Sequence, residues 1–224
     1  MKYVVQKVIR ETPSAVTLVL TGPKVDFLPG QFMMVTCSPK GEPVKRAFSL
    51  AASPLRKQLE LCIKATPEGF VSPYLCSIKE GSEFDLMGPY GRFTFIEGVS
   101  NHAVFIGAGS GIAPLRSMMQ YIEDKKLDIN VDLFYSNKKE EDIIYKEEFE
   151  KWQGHKRGLF LTLTQDKWDG KTGRFDLAFF KENIPDLTKP IYYLCGPLEF
   201  VKSMREQLLE GGAKKDWIKM EVYE

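Results

Sequence analysis

The chain has 224 residues, enough for one large domain or two ordinary ones. Its 43% hydrophobic and 27% charged residues suit a globular protein with a sizeable core, and a formal charge of +1 leaves no electrostatic footprint for nucleic acid. No apolar run approaches the ~20 residues that a bilayer span needs, and residues 1–7 read as a first strand instead of a signal peptide, so a cytoplasmic location is expected by default.

The first hundred residues read as short strands separated by turns. Residues 3–5 and 16–20 are β-branched or aromatic runs, and Gly22-Pro23 and Pro29-Gly30 punctuate the segment after them. Residues 31–37 form another apolar run, and residues 59–64 alternate as a half-buried strand should. Strands at this spacing suggest a closed antiparallel barrel. Within this half only residues 72–77 have helical character, and Gly88-Pro89-Tyr90-Gly91-Arg92-Phe93 reads as a tight closing turn.

After about Ser100 the rhythm changes. Residues 103–106 form a short apolar strand, Gly107-Ala108-Gly109-Ser110-Gly111 a glycine-rich turn, and residues 112–124 have helical spacing. A strand over 129–135, a helix over 145–152, strands over 159–164 and 191–195, and a helix over 199–210 complete the series. Strands alternating with helices indicate a parallel sheet covered on both faces. The expected organisation is therefore β + α/β: an antiparallel barrel over residues 1–98, then a parallel-sheet domain over 99–224.

Four cysteines, Cys37, Cys62, Cys76 and Cys195, contain no C-x-x-C pair, and His102 and His155 are the only histidines. Neither a structural metal nor an iron–sulfur cluster is expected from such spacing.

Two segments carry chemistry. Arg46-Ala47-Phe48-Ser49 sets a cation, an aromatic face and a hydroxyl on one short stretch. On a strand, residues 46 and 48 share a face and Ser49 opposes them unless the backbone twists. A surface arginine, a core phenylalanine and a polar serine would account for these four residues equally well. The glycine-rich turn lies between a strand and a helix, where small residues let backbone amides meet a diphosphate. It departs from G-x-G-x-x-G because Ile112 stands at the third glycine's place. Pro114 falls in the first helical turn, where its missing N–H costs nothing. A turn that simply packs helix on strand is the alternative.

In their order, Arg46-Ala47-Phe48-Ser49, Gly69-Phe70-Val71-Ser72, Gly88-Pro89-Tyr90-Gly91 and Gly107 through Ser117 resemble the ferredoxin–NADP⁺ reductase family. The resemblance spans essentially the whole chain. Phe48 stands where the family more often has Tyr, and Ser110 where it has Thr. The resemblance implies bound FAD instead of FMN, because the Gly-x-x-Ser helix start serves a diphosphate. It implies that Arg46, Ala47, Phe48, Ser49, Cys62, Ile63, Lys64, Gly69, Val71 and Ser72 hold the flavin. Gly107, Gly109, Ser110, Gly111, Ile112, Pro114, Ser136, Asn137, Cys195, Gly196 and Pro197 are then expected to bind NADH or NADPH. Ser49, Cys195 and Glu221 are the expected catalytic residues: a hydroxyl near flavin N5, a thiol that places the nicotinamide, and an acid that assists proton chemistry.

Tyr223 would cover the flavin as the family's terminal aromatic does, although Glu224 comes after it and an ordinary edge strand fits residues 221–224 equally. Ser136-Asn137-Lys138-Lys139 and then Glu140-Glu141-Asp142 leave NADH and NADPH undecided. The implied function is hydride transfer from NAD(P)H to FAD, then electron transfer to a carrier protein: a ferredoxin, a flavodoxin or an oxygenase component. The rivals are a reductase that uses free flavin as substrate and an electron-transfer subunit active only in a larger complex. Relatives of the latter type often append a cysteine-rich segment, which this sequence lacks.

Overall fold

The computed structural model describes residues 1–223; Glu224 lies outside the described residues. They divide into two compact units, one of Met1–Phe95 with Arg116–Lys126 and one of Ile96–Leu115 with the chain from Leu127 on.

In the first unit β1 (Lys2–Thr12), β2 (Ala15–Thr21), β3 (Phe32–Cys37), β4 (Val44–Ser49), β5 (Leu59–Lys64) and β6 (Glu83–Tyr90) form a six-stranded sheet in the order β4-β3-β6-β1-β2-β5. Its pairings are antiparallel. The ends meet just past β4: Leu50 bridges Leu61, and the Ala51 amide donates to the Glu60 carbonyl at 2.8 Å. The barrel is closed there, which removes the unpaired edges of an open sheet. On β3 Met33, Val35 and Cys37 point inward and alternate with half-buried Phe32, Met34 and Thr36. They join Tyr3, Val16, Leu18, Leu61 and Leu86 in a core where each full aliphatic burial contributes about 1.5–3 kcal/mol. The helix α1 (Val71–Ser77) packs on it with Leu75 and Cys76 buried against this core.

The second unit reads β7 (His102–Ala108), α2 (Ile112–Asp124), β8 (Asn130–Asn137), α3 (Lys146–Trp152), β9 (Arg157–Leu163), β10 (Lys171–Thr172), α4 (Leu177–Asn183), β11 (Ile191–Pro197), α5 (Leu198–Glu210) and β12 (Ile218–Tyr223). From Arg116 on, α2 is counted with the first unit. The strand order is β10-β9-β8-β7-β11-β12, parallel throughout. β7 and β11 are buried over nearly their whole lengths, as strands covered on both faces must be. One side is filled by phenylalanines: Phe134 stacks on Phe160 at 4.5 Å and meets Phe175 and Phe180 edge-on. Among the described residues no helix is long and apolar enough to cross a membrane.

The expected antiparallel half and the parallel α/β half after it are therefore present, and residues 112–124 form the predicted helix. Three local features differ. Gly88-Pro89-Tyr90 is not a turn but the end of β6, where a register irregularity still lets Tyr90 pair with Phe32. β8 runs on through Ser136 and Asn137, because Ala108 and Leu163 pair with them from either side. α4 was not expected; Asp176 starts it by accepting from the Phe179 amide at 2.8 Å.

Candidate functional site

In the barrel unit, β4 breaks the two-residue alternation that its sequence suggests. Lys45, Arg46 and Ala47 are all exposed, Phe48 is half-buried against the core, and Ser49 is buried. β4 pairs along its length only with β3, and pairing toward β5 begins at Leu50, so its middle has one strand partner. The Arg46 guanidinium donates to the Lys45 carbonyl at 2.8 Å and stays in solvent, a cation held near its own backbone. Cys62 and Ile63 are buried on β5, and Lys64 is half-buried at its end.

Before α1 the chain is knotted tightly by side chains. Ser72 Oγ accepts from the Thr66 amide at 3.1 Å and shares a 2.9 Å bond with Thr66 Oγ1. A Cβ on Gly69 would lie 2.2 Å from Thr66 Oγ1 and would have to displace the hydroxyl bonded to Ser72. Val71 is buried beneath this turn. Lys40, from the β3–β4 connection, sits 4.7 Å over the Phe70 ring. A cation, a half-exposed aromatic face, a hydroxyl and a second cation thus belong to one barrel unit. That donor set fits a flavin with a diphosphate tail.

In the α/β unit the glycine turn becomes a short 3-10 turn, Gly109–Gly111, that leads directly into α2. Tyr135 fixes it by donating its hydroxyl to the Gly109 carbonyl at 2.9 Å. A Cβ on Gly111 would lie 2.2 Å from the Cys195 carbonyl oxygen, so only glycine lets the turn close on β11. Gly109 has φ +53° and open space where a Cβ would be, room that suits a phosphate approaching bare backbone. Ser110 is half-exposed beside it; Ile112 and Pro114 are buried at the start of α2.

Register brings three distant residues side by side. Gly107 on β7 pairs with Cys195 on β11, which pairs with Glu221 on β12. All three lie toward the carboxyl ends of parallel strands, where open α/β sheets bind ligands. Cys195 is wholly buried, and burial pushes its thiol well above the ordinary range, with an opposing pull from a Tyr223 hydrogen bond. It is thus a neutral thiol, suited to packing and not to nucleophilic attack. Gly196 and Pro197 carry the strand into α5. Tyr223 ends β12 opposite Pro197.

Glu221 Oε2 is buried with no hydrogen-bond partner, and burial raises the carboxyl to about 7. A carboxylic acid poised near neutrality can hold or release a proton under working conditions. The folded value lies above the ordinary 4.5, so this group's favourable share of stability is intact below about 4.5 and is lost as pH rises through about 7. Between about pH 5 and pH 8 the melting temperature of the native protein is expected to fall relative to Glu221→Gln. Superimposable pH–melting profiles for the two proteins would refute this.

Ser136 and Asn137 are both buried at the end of β8, and neither polar atom of the Asn137 side chain has a partner. Sequence reasoning missed two roles, one in each unit. Tyr135 was visible only as the tail of an apolar run, yet its hydroxyl holds the glycine turn. Arg116 and Ser117 were visible only as the tail of a motif. They donate to Ala51 and Ala52 carbonyls at 3.0 and 2.7 Å and hold the segment just after Ser49.

Residues 5–95 match the oxidoreductase FAD-binding domain model, and residues 105–206 match the oxidoreductase NAD-binding domain model. A glycine betaine monooxygenase reductase subunit of Pseudomonas aeruginosa is 29% identical over 193 residues, 83% of this chain and 52% of that protein. NADH-cytochrome b5 reductase 2 of Yarrowia lipolytica is 32% identical over 176 residues, 75% of this chain and 60% of that protein. The chain therefore spans between half and two thirds of the length of these relatives. The FAD/NAD-binding domain of a nitric oxide dioxygenase from Vibrio cholerae shares the fold, with a TM-score of 0.92 at 24% identity over 99% of this chain and 98% of that one.

Proposed function

Because this chain belongs to the ferredoxin–NADP⁺ reductase family of FAD- and NAD(P)-binding oxidoreductases, we propose that it oxidises NAD(P)H and delivers the electrons singly to a carrier protein. The observation that carries this reading is the row Gly107–Cys195–Glu221 beside a glycine turn with open space over Gly109. FAD, when bound, supplies the conversion of a two-electron hydride into single electrons. We assign its binding to residues 1–98 and that of the nicotinamide nucleotide to 99–224. Arg46 and Lys64 neutralise phosphate charge, Phe48 gives the ring an apolar wall, and Ser49 donates to flavin N5. The turn amides of 109–111 hold the nucleotide diphosphate, and Cys195 packs against the nicotinamide as a neutral thiol. Glu221 holds a proton at its carboxyl near neutral pH. Relatives named as reductases of glycine betaine monooxygenase and of cytochrome b5 support a protein acceptor of the oxygenase-component or haem-protein kind.

The test is anaerobic mixing of the purified yellow protein with NADH and with NADPH while the flavin bands are monitored. Bleaching by either nucleotide supports the reading; an unreduced flavin rejects it. A flavin lost on gel filtration, with turnover dependent on added flavin, would favour the free-flavin reductase instead. In the same assay Ser49→Ala is expected to slow flavin reduction about a hundredfold, the scale of one lost transition-state donor. Its FAD affinity should fall by no more than about tenfold. An unchanged reduction rate would remove Ser49 from the chemistry.

A further inference from the structure

The Gly109 carbonyl oxygen accepts from two donors, the Ile112 amide and the Tyr135 hydroxyl, the latter at 2.9 Å. Both of its lone pairs are thereby used. The hydroxyl is rigidly mounted. Tyr135 is wholly buried, its backbone pairs with Gly107 on one side and Leu161 on the other, and its ring meets Phe149 edge-on at 6.3 Å. The peptide it holds has little orientation of its own. Gly109 stands at φ +53° with nothing where a Cβ would be, and glycine accepts either sign of φ at no steric cost. A single trans peptide carries the Gly109 carbonyl and the Ser110 amide on opposite sides. With the oxygen turned toward the Tyr135 hydroxyl, the Ser110 N–H is turned away from it, on a residue that is half-exposed.

We propose that Tyr135 is a positioning residue for nucleotide binding. By anchoring the Gly109 carbonyl, its hydroxyl keeps that oxygen away from an incoming diphosphate and presents the Ser110 amide in its place. The proposal rests on the reading that the glycine turn binds the diphosphate of a nicotinamide nucleotide. A diphosphate offers only acceptors, so a backbone N–H attracts it and a carbonyl oxygen repels it. The orientation of one peptide therefore decides the sign of the interaction. Phenylalanine at position 135 would keep the ring packing and leave the Gly109 oxygen with the Ile112 amide alone. The peptide would then turn at little cost, and binding a diphosphate would first require turning it back. Tyr135 thus acts through Ser110, and its effect is confined to ligands that carry phosphate.

Titration of the FAD-loaded protein with ADP-ribose and with adenosine, which has the base and ribose but no phosphate, tests this without turnover. Tyr135→Phe is expected to weaken ADP-ribose about tenfold, the scale of one lost charge-assisted hydrogen bond. Adenosine should stay within about twofold, and the melting temperature within about 4 °C of native. Unchanged ADP-ribose binding, or equal losses for the two ligands, would overturn the assignment and reduce Tyr135 to a packing residue. A second measurement needs no variant. In the amide spectrum of the native protein, inorganic pyrophosphate should shift the Ser110 resonance to lower field. If the Gly109 or Gly111 amide moves and Ser110 does not, the role of Tyr135 falls while the diphosphate site stands. If none of the three moves and ADP-ribose does not bind, the nucleotide reading of the turn fails with it.

Discussion

Gly111→Ala is expected to lower the melting temperature of the protein by about 6–12 °C and to cut nucleotide-driven flavin reduction at least a hundredfold. The new methyl would lie 2.2 Å from the Cys195 carbonyl oxygen and 2.6 Å from its carbon. Both are backbone atoms of a strand pinned by Gly107 on one side and Glu221 on the other. The clash has no flexible side chain to yield, so the turn must lift from β11. Overpacking of this kind costs about 3 kcal/mol at the upper end of its usual range, and in a chain of this size each kcal/mol is worth about 2–4 °C. Gly109→Ala separates the two effects. Its Cβ would meet nothing within 4 Å, and φ of +53° costs an alanine only about 1–2 kcal/mol. It should melt within a few degrees of the native protein, yet bind ADP-ribose poorly because the methyl fills the open space. A native melting temperature for Gly111→Ala would refute the account, as would native affinity for Gly109→Ala.

The contrast between these glycines shows what the sequence made legible. The strand, the turn and the helix over 112–124 are read from an apolar run, a glycine cluster and helical spacing, all local signals. Which glycine is sterically obligatory depends on Cys195, far away in the chain, and is fixed only by sheet register. Glu221 acquires its buried acid the same way, through the pairing of β12 with β11. A closed barrel was legible from the spacing of its strands, but not that Leu50 and Leu61 would be the residues to close it, because one bridge leaves no periodic trace. Ser136 and Asn137 read as loop residues since neither is a strong strand former, and pairing of Ser136 with Ala108 and Thr162 and of Asn137 with Leu163 overrides that preference.

Arg116→Met is expected to lower the melting temperature by on the order of 10 °C and to release flavin at a correspondingly lower temperature. Arg116 is 7% exposed; its Nη1 donates to the Ala51 carbonyl at 3.0 Å and to Glu60 Oε2 at 2.6 Å. Methionine keeps much of the volume and removes the charge, which strands a largely buried carboxylate on Glu60. Breaking a buried pair from one side costs about 3–5 kcal/mol, more than the intact pair contributes. The double variant Arg116→Met/Glu60→Gln should therefore recover part of the loss, since the uncompensated charge is gone. Ser117 and Gln120 act on the same segment, through the Ala52 carbonyl at 2.7 Å and the Ser53 amide at 3.2 Å. Three side chains of one helix thus hold residues 51–53, immediately after Ser49 and the Leu50 bridge, so loosening them loosens the strand end that carries Ser49. The decisive measurement is the thermal profile of the single and double variants by circular dichroism and flavin fluorescence. If the double variant melts below Arg116→Met, the stranded carboxylate is not the cause, and the arginine acts through its carbonyl bond and packing instead.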